Sequence, residues 1–442
     1  MEEIRTRIAP SPTGYLHIGT ARTALFNYLF AKQAGGKFIV RIEDTDHERS
    51  EEKYVLDITN GLSWLGLNWD EGPFTEGEFG PYYQSKKTER YNECVKILLD
   101  QNLAYKKDGA IWFRIPEKID LDTTEIIVKD LIRGDVHFKL TDLKDFVIVK
   151  SDGTPIFHLA VVVDDYDMKI SHIIRGEDHL SNTPKHILLQ KALNFPTPIY
   201  AHLPLIVNPN HSKMSKRKDP VSISNDFKDK GYLPEAMINF ISLLGWSPKN
   251  EDEIFSLQDL ITEFDLTRVG KSPSVFNQQK LDWINGLYIR KMSLGDLAKQ
   301  LEPFYSKHGV NVKGEYLLSV IALIQERLKN LDEAYSLSYF MFDEKIEVPP
   351  EMLLEKLHDK NLTKNALEKS YKIIEAIDFT HDKLESELRN LATEMNITAK
   401  GLFQTLRVAV CGTDVAPPLF QTFEVLGKEK VLKRINEALN LV

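Results

Sequence analysis

Arg5 to Asp46, RTRIAPSPTGYLHIGTARTALFNYLFAKQAGGKFIVRIEDTD, is the stretch whose reading decides the fold. Thr6 to Ala9 is short and β-compatible, and Pro10, Pro12 and Gly14 then forbid both a continued strand and an immediate helix. The chain must loop there. From Thr20 the residues Ala21, Ala24, Leu25, Tyr28 and Leu29 recur at helical spacing, Gly35-Gly36 stops the run, and Phe38, Val40 and Ile42 alternate as a strand. This is a β-α-β unit. Its first loop and the free N–H groups at the helix start face one crevice at the carboxyl ends of the strands, where anions are favoured. His17 and Gly19 fall in that crevice, flanked by Arg7 and Ser11 on one side and by Glu43, Asp44 and Asp46 on the other. Gly19 lets a phosphate-bearing ligand approach the backbone, and His17 can donate to a phosphate oxygen. The rival reading, a histidine that merely starts a helix, stays open on HIGT alone.

A second signal lies far downstream, where Lys213-Met214-Ser215-Lys216-Arg217-Lys218 follows the turn Asn208-Pro209-Asn210 and the apolar run Leu203 to Val207. A basic run is usually a solvated face. Placed after a strand it can reach the edge of the same sheet, with lysine ammonium groups as point charges for phosphate oxygens. HIGT and KMSKR resemble the two signature motifs of class I aminoacyl-tRNA synthetases. The surrounding RIAPSPTGYLHIGTAR, FIVRIEDTD and VVVDDYDM…IIRGEDH narrow the resemblance to bacterial-type glutamyl-tRNA synthetases. It covers nearly the whole chain and is closest over residues 4–84 and 155–290.

The resemblance implies an α/β Rossmann-like doubly wound catalytic domain with an α+β insertion, followed by an all-α C-terminal anticodon-binding region. It implies a glutamate–tRNA ligase, which activates L-glutamate with ATP and Mg²⁺ to glutamyl adenylate and transfers it to the 3′ end of tRNA(Glu). ATP is then expected at His17, Gly19, Asp178, Ile206 and the loop residues Lys213, Met214, Ser215, Lys216 and Arg217, with His17, Lys213 and Lys216 catalytic. Glutamate is expected at Arg7, Ala9, Ser11, Glu43, Phe157, Val161 and Arg175. Phe157 stands where members of the family carry tyrosine, and Val161 where some carry asparagine, so both departures remove polar contacts to the amino acid.

Arg175 can also be read from the residues. Ile170 to Ile174 is strand-like and ends on Arg175-Gly176-Glu177-Asp178-His179, so Arg175 falls at a strand's carboxyl end, as Arg7 does. Two arginines aimed into one crevice need an anion, and a guanidinium fork fits a carboxylate best. Glu43 or Asp178 could supply it as ion-pair partners, or a ligand could. With the resemblance, Arg7 and Arg175 hold the side-chain carboxylate of glutamate and Glu43 its α-ammonium, which rejects glutamine.

The composition sets bounds. At 442 residues the chain exceeds one hydrophobic core, and 42% apolar with 27% charged residues describes a soluble protein. There is no apolar run of the roughly 18 residues a membrane span requires, and MEEIRTRIAP lacks a signal peptide's apolar stretch, so a cytoplasmic location is expected, with no membrane partner. Cys94 and Cys411 are too few for a disulfide framework or a cysteine-based zinc knuckle, and no zinc is expected. The net charge of −9 argues against a nonspecific nucleic-acid binder but leaves room for local basic patches that contact tRNA. A monomer is expected.

In chain order, Glu51 to Leu65 reads as an amphipathic helix, and glycines and prolines from Gly66 to Pro81 break the pattern. Ser85 to Asn102 is helical, Ala104 to Ile115 a hairpin turning at Asp108-Gly109, and Val128 to Val149 β-rich. Leu159 to Val163 reads as a strand buried on both faces, Pro184 to Leu193 as a helix and Tyr200 to Val207 as a strand. The expected domains are residues 1–81 with 158–211 (catalytic), 82–157 (a short insertion for the tRNA acceptor end), 212–291 (a connecting module), and 292–348 and 349–442 (two helical parts that bind the anticodon), the last pair divided at Pro349-Pro350. Pro234 fits the first turn of a helix ended by Gly245, and Ser256 to Asp259 and Ser293 to Asp296 are capping-box-like starts. The helical stripes after Met292 say only that the region is a helical interaction domain; the resemblance assigns Arg327 to the last anticodon base. The alternatives are a non-discriminating enzyme that also charges tRNA(Gln), a smaller base-modifying relative, which would lack the residues after Met292, a noncatalytic tRNA-binding paralogue, and a generic adenylate-forming enzyme without an RNA partner.

Overall fold

The computed structural model describes residues 3–46, 48–75, 77–118, 124–212, 214 and 219–442, and the chain divides into two compact units, Met1–Ile284 and Asn285–Val442. In the first, β1 (Arg5–Ile8) runs parallel to β2 (Lys37–Val40) with α1 (Ile18–Gln33) between them. The turn after α1 closes only around glycine, because a Cβ at Gly36 would lie 2.0 Å from the Ile4 carbonyl oxygen. After α2 (Glu52–Trp64) and α3 (Thr88–Asp100) come the hairpin β3 (Ala104–Lys107) and β4 (Ala110–Phe113), whose turn residues Asp108 and Gly109 have φ of 51° and 78°. A two-residue hairpin of this type needs both in the left-handed region.

The segment that follows does not stand apart from the sheet. β5 (Glu125–Asp130) pairs with β6 (Gly134–Lys139), and β7 (Phe146–Val149) pairs with β4. Next come α4 (Phe157–Asp167), β8 (His172–Gly176), α5 (Thr183–Ala192), β9 (Ile199–Leu203) and β10 (Ile206–Val207). β5 meets β9 in parallel at Asp130 and Tyr200, β9 runs parallel to β8, and β8 lies beside β1, where the Ser171 N–H donates to the Arg5 carbonyl at 3.0 Å. The spatial order is therefore β6-β5-β9-β8-β1-β2. Val128 and Ile148 from the inserted segment share one core with Leu159, Val163 and Ile173.

Two expectations are corrected. Leu159 to Val163 is the middle of α4, not a strand. Every residue from Leu159 to Asp165 is buried, so the run has no polar face to mark a helical period, and Val161-Val162-Val163 has the composition of a strand. Tyr200 to Val207 is two strands, because Pro204 has no N–H to continue the ladder; β10 pairs instead with β11 (Ser274–Val275).

The rest of the first unit holds α6 (Pro234–Ser242) and α7 (Leu257–Glu263), the latter opened by a full capping box between Ser256 and Asp259, then β11 and the start of α8 (Gln278–Lys291). The second unit is helical: α9 (Leu294–Ser306), α10 (Glu315–Ile324), α11 (Glu333–Phe342), α12 (Pro350–Glu355), α13 (Lys360–Ala376), α14 (His381–Glu394), α15 (Ala399–Cys411), α16 (Leu419–Leu426) and α17 (Lys428–Leu439). Residues on both sides of Pro349-Pro350, among them Phe340, Met341, Leu353, Leu388 and Ile435, pack into one core. Among the described residues no helix is long and apolar enough to cross a membrane.

Candidate active site

A cleft of about 790 Å³ opens at the carboxyl ends of β1 and β8, and the structure brings twelve of the expected site residues to its walls: Arg7, Ala9, Ser11, His17, Gly19, Glu43, Phe157, Val161, Arg175, Asp178, Ile206 and Met214. Lys213, Ser215, Lys216 and Arg217 lie outside the described residues. His17 is the N-cap of α1: its Nδ1 accepts from the Thr20 N–H at 3.3 Å and its Nε2 lies 2.9 Å from the Thr20 hydroxyl. The two rival readings of His17 thus describe one residue, a helix cap that also lines the cleft. A Cβ at Gly19 would stand 3.1 Å from His17 Cε1, so glycine here leaves room for the imidazole.

The segment that follows residue 218 is tied to the same stretch. Ile18 N–H donates to Val221 O, and Ile223 N–H donates to Leu16 O, an antiparallel bridge that sets Ser222 opposite His17. Asp57 on α2 joins both sides, accepting from Leu16 N–H and from the Ser224 hydroxyl, each at 2.7 Å. Hydrogen bonds therefore join the start of α1 to residues 221–224.

The charged wall divides into two differently balanced halves. Asp165 on α4 accepts from Arg7 at 3.0 and 3.3 Å and from Arg41 at 2.6 Å, and Arg41 also donates to Glu43 at 3.2 Å. Burial would raise the Asp165 pKa, but Arg7 and Arg41 outweigh it and hold the carboxyl below its ordinary value. Burial raises Glu43, partly offset by Arg41. Arg7 thus pairs with Asp165, not with Glu43.

Arg175 has no such partner. Among the described residues no carboxylate lies within ion-pair distance of it, and its acceptors are all neutral: His202 Nε2 at 3.1 Å, His186 Nδ1 at 3.3 Å, the Thr183 hydroxyl at 2.8 Å and the His179 carbonyl at 3.3 Å. Burial lowers its pKa to about 10. Arg7, Arg41, Asp165 and Glu43 pair with one another, whereas Arg175 makes no direct ion pair. A buried guanidinium keeps its proton, so an arginine on the cleft wall without a direct carboxylate partner suits an anionic ligand.

The matching family models are tRNA synthetases class I (E and Q), catalytic domain, over residues 3–111 and 107–283, and an anticodon binding domain over residues 296–439. Glutamate–tRNA ligase of Dehalococcoides mccartyi strain BAV1 is 44% identical, covering 99% of this chain and 97% of that protein; that of Methylacidiphilum infernorum is also 44% identical, over 98% and 97%. The chain belongs to the glutamate and glutamine branch of the class I tRNA synthetases. Among solved structures of this branch, a glutamate tRNA ligase from Elizabethkingia meningosepticum, crystallised with its amino acid, superposes with a TM-score of 0.85 at 31% identity over 99% of each chain. A glutamate-tRNA synthetase from Elizabethkingia anophelis gives 0.83 at 31% identity, over 99% of this chain and all of that one.

In this class I chain, Phe157 and Val161 sit on α4. The Phe157 ring lies 5.5–5.6 Å from the His158, His179 and His186 rings, and Val161 is buried. Asp165, Arg41, Asp57, Asp130, His186 and His202 are structural partners of the site that sequence reasoning missed. Only Asp165 carried a signal, as a charge inside the run VVVDDYD.

Proposed function

We infer that this chain is a glutamate–tRNA ligase that activates L-glutamate with ATP and transfers it to tRNA(Glu). The observation that carries the choice of amino acid is Arg175, which has no direct carboxylate partner in a cleft where Arg7 is paired with Asp165. The side-chain carboxylate of glutamate supplies the missing anion, and Glu43 receives the α-ammonium. Glutamine would set amide N–H groups against the N–H groups of Arg175 and leave the charge unpaired, a loss that binding energy elsewhere cannot recover.

ATP, with Mg²⁺ as its counter-ion, lies over His17, Gly19 and the N-terminus of α1, whose free N–H groups favour phosphate. The α-carboxylate oxygen attacks the α-phosphorus, the bond to the bridging oxygen breaks, and pyrophosphate leaves. Lys213 and Lys216 neutralise it while His17 faces the developing charge. Positioning and electrostatics suffice, and no protein nucleophile is required. The 2′-hydroxyl of the terminal adenosine then displaces AMP. Residues 82–157 receive the acceptor end and the second unit reads the anticodon. Arg327 suits the last anticodon base: it is exposed on the turn Gln325–Arg327 and, among the described residues, meets no carboxylate. The working form is a cytoplasmic monomer, and its two cysteines supply no thiolate zinc site.

The test is charging of separate tRNA(Glu) and tRNA(Gln) transcripts with labelled glutamate. Product on tRNA(Glu) alone is expected. Product on both would make the enzyme non-discriminating, and none on either would overturn the reading.

A further inference from the structure

We infer that Asp130 and His202 form a positioning pair that aims the Arg175 guanidinium, and so sets the affinity of the site for the amino-acid carboxylate. The inference rests on the assignment of Arg175 to that carboxylate. Asp130 ends β5, His202 lies on β9 and Arg175 on β8, so the pair runs across three adjacent strands.

The geometry fixes each proton. Asp130 Oδ1 accepts two backbone N–H groups, Ile132 at 2.9 Å and Arg133 at 2.8 Å, which leaves Oδ2 to face His202 Nδ1 at 2.6 Å. A carboxylate accepts, so Nδ1 carries the proton. Nε2 is then bare and takes the Arg175 Nε–H at 3.1 Å. His202 and Asp130 side chains are both fully buried, so no water competes for these contacts. The groups that face the imidazole are Asp130, Arg133, Arg175, His179, Tyr200 and the Thr183 hydroxyl, which lies 3.1 Å from Nε2. Burial keeps His202 neutral, with Asp130 opposing, and the neutral form is the only one that can both donate and accept here. Of the guanidinium's contacts, this one holds Nε and so sets the plane of the fork. A tilt of that plane spoils two-point recognition of a carboxylate.

Asp130→Asn tests the pair. The two backbone N–H groups retain the remaining amide oxygen, so the amide N–H₂ faces His202, forces the proton onto Nε2 and turns it against Arg175. The expected result is a glutamate KM raised about tenfold with the ATP KM moved less than about twofold. In His202→Gln, whose amide oxygen replaces Nε2 as acceptor and carries no tautomer, Asp130→Asn should add less than about twofold. Equal effects in the two backgrounds, or equal rises in both KM values, would overturn the pair. Should Asp130→Asn fail to fold, ¹⁵N spectra of histidine-labelled wild-type protein, with His202 assigned by its loss in His202→Gln, decide the point. A proton on Nδ1 supports the inference and one on Nε2 overturns it. Arg175→Lys with an unchanged glutamate KM would sink the assignment beneath it, a result distinct from failure of the pair alone.

Discussion

Arg175 and its neighbours concentrate the consequences at the scale of single residues. Lysine at this position keeps the charge but loses the planar fork that meets these acceptors. Arg175→Lys is expected to raise the glutamate KM by about a hundredfold and the ATP KM by less than about twofold in steady-state aminoacylation. The imidazoles that sheathe Arg175 make a second expectation. His158 is pushed from 6.5 down to about 4, first by burial and then by Lys185 and Arg175. It is neutral in the fold, so as pH falls from 6.5 towards 4 the unfolded chain binds more protons and stability drops, by up to roughly 1.4 kcal/mol per pH unit for this group. Urea midpoints measured at pH 7, 6 and 5 should fall less steeply in His158→Phe than in the unaltered protein. Parallel slopes would show that His158 does not titrate in this window.

At the scale of elements, α1 carries the site because its cap and its second residue are matched. Gly19→Ala would press a methyl group against the His17 ring from 3.1 Å. The expected result is a kcat lowered several-fold with the glutamate KM unchanged and a thermal midpoint within a few degrees. A kcat at the parental level would show that the ring has space to yield. α1 and its flanking strands were legible in the sequence because the signals are local: prolines, a glycine pair and a clean helical period. α4 was not, because a helix buried on every face presents no period to read. The partners of the site arginines were illegible for another reason. Asp165 stands 158 residues from Arg7, and Asp130 stands 72 from His202, so only the fold brings them together.

For the whole molecule, binding tRNA on a net charge of −9 requires local basic patches. tRNA affinity should fall steeply with salt, by a slope of about 0.7 to 0.9 in log K per log salt for each phosphate neutralised. A flat response in filter binding between low and physiological salt would remove the electrostatic account. The helical character of the C-terminal region was legible in the stripes after Met292, but the boundary between the two units falls at Ile284 and Asn285, inside α8, where nothing local marks it. The neutral cage around Arg175 carries a last consequence, for how this sequence can change. Its acceptors come from β8's own turn, from α5 and from β9, with β5 behind them. A swap of the arginine alone leaves imidazoles and a hydroxyl without a donor, and a swap of one acceptor alone leaves a buried cation short of a contact. Each single step toward a pocket for a neutral amino acid passes through a worse protein, so the choice of an acidic substrate is held by the remoteness of any alternative in sequence space.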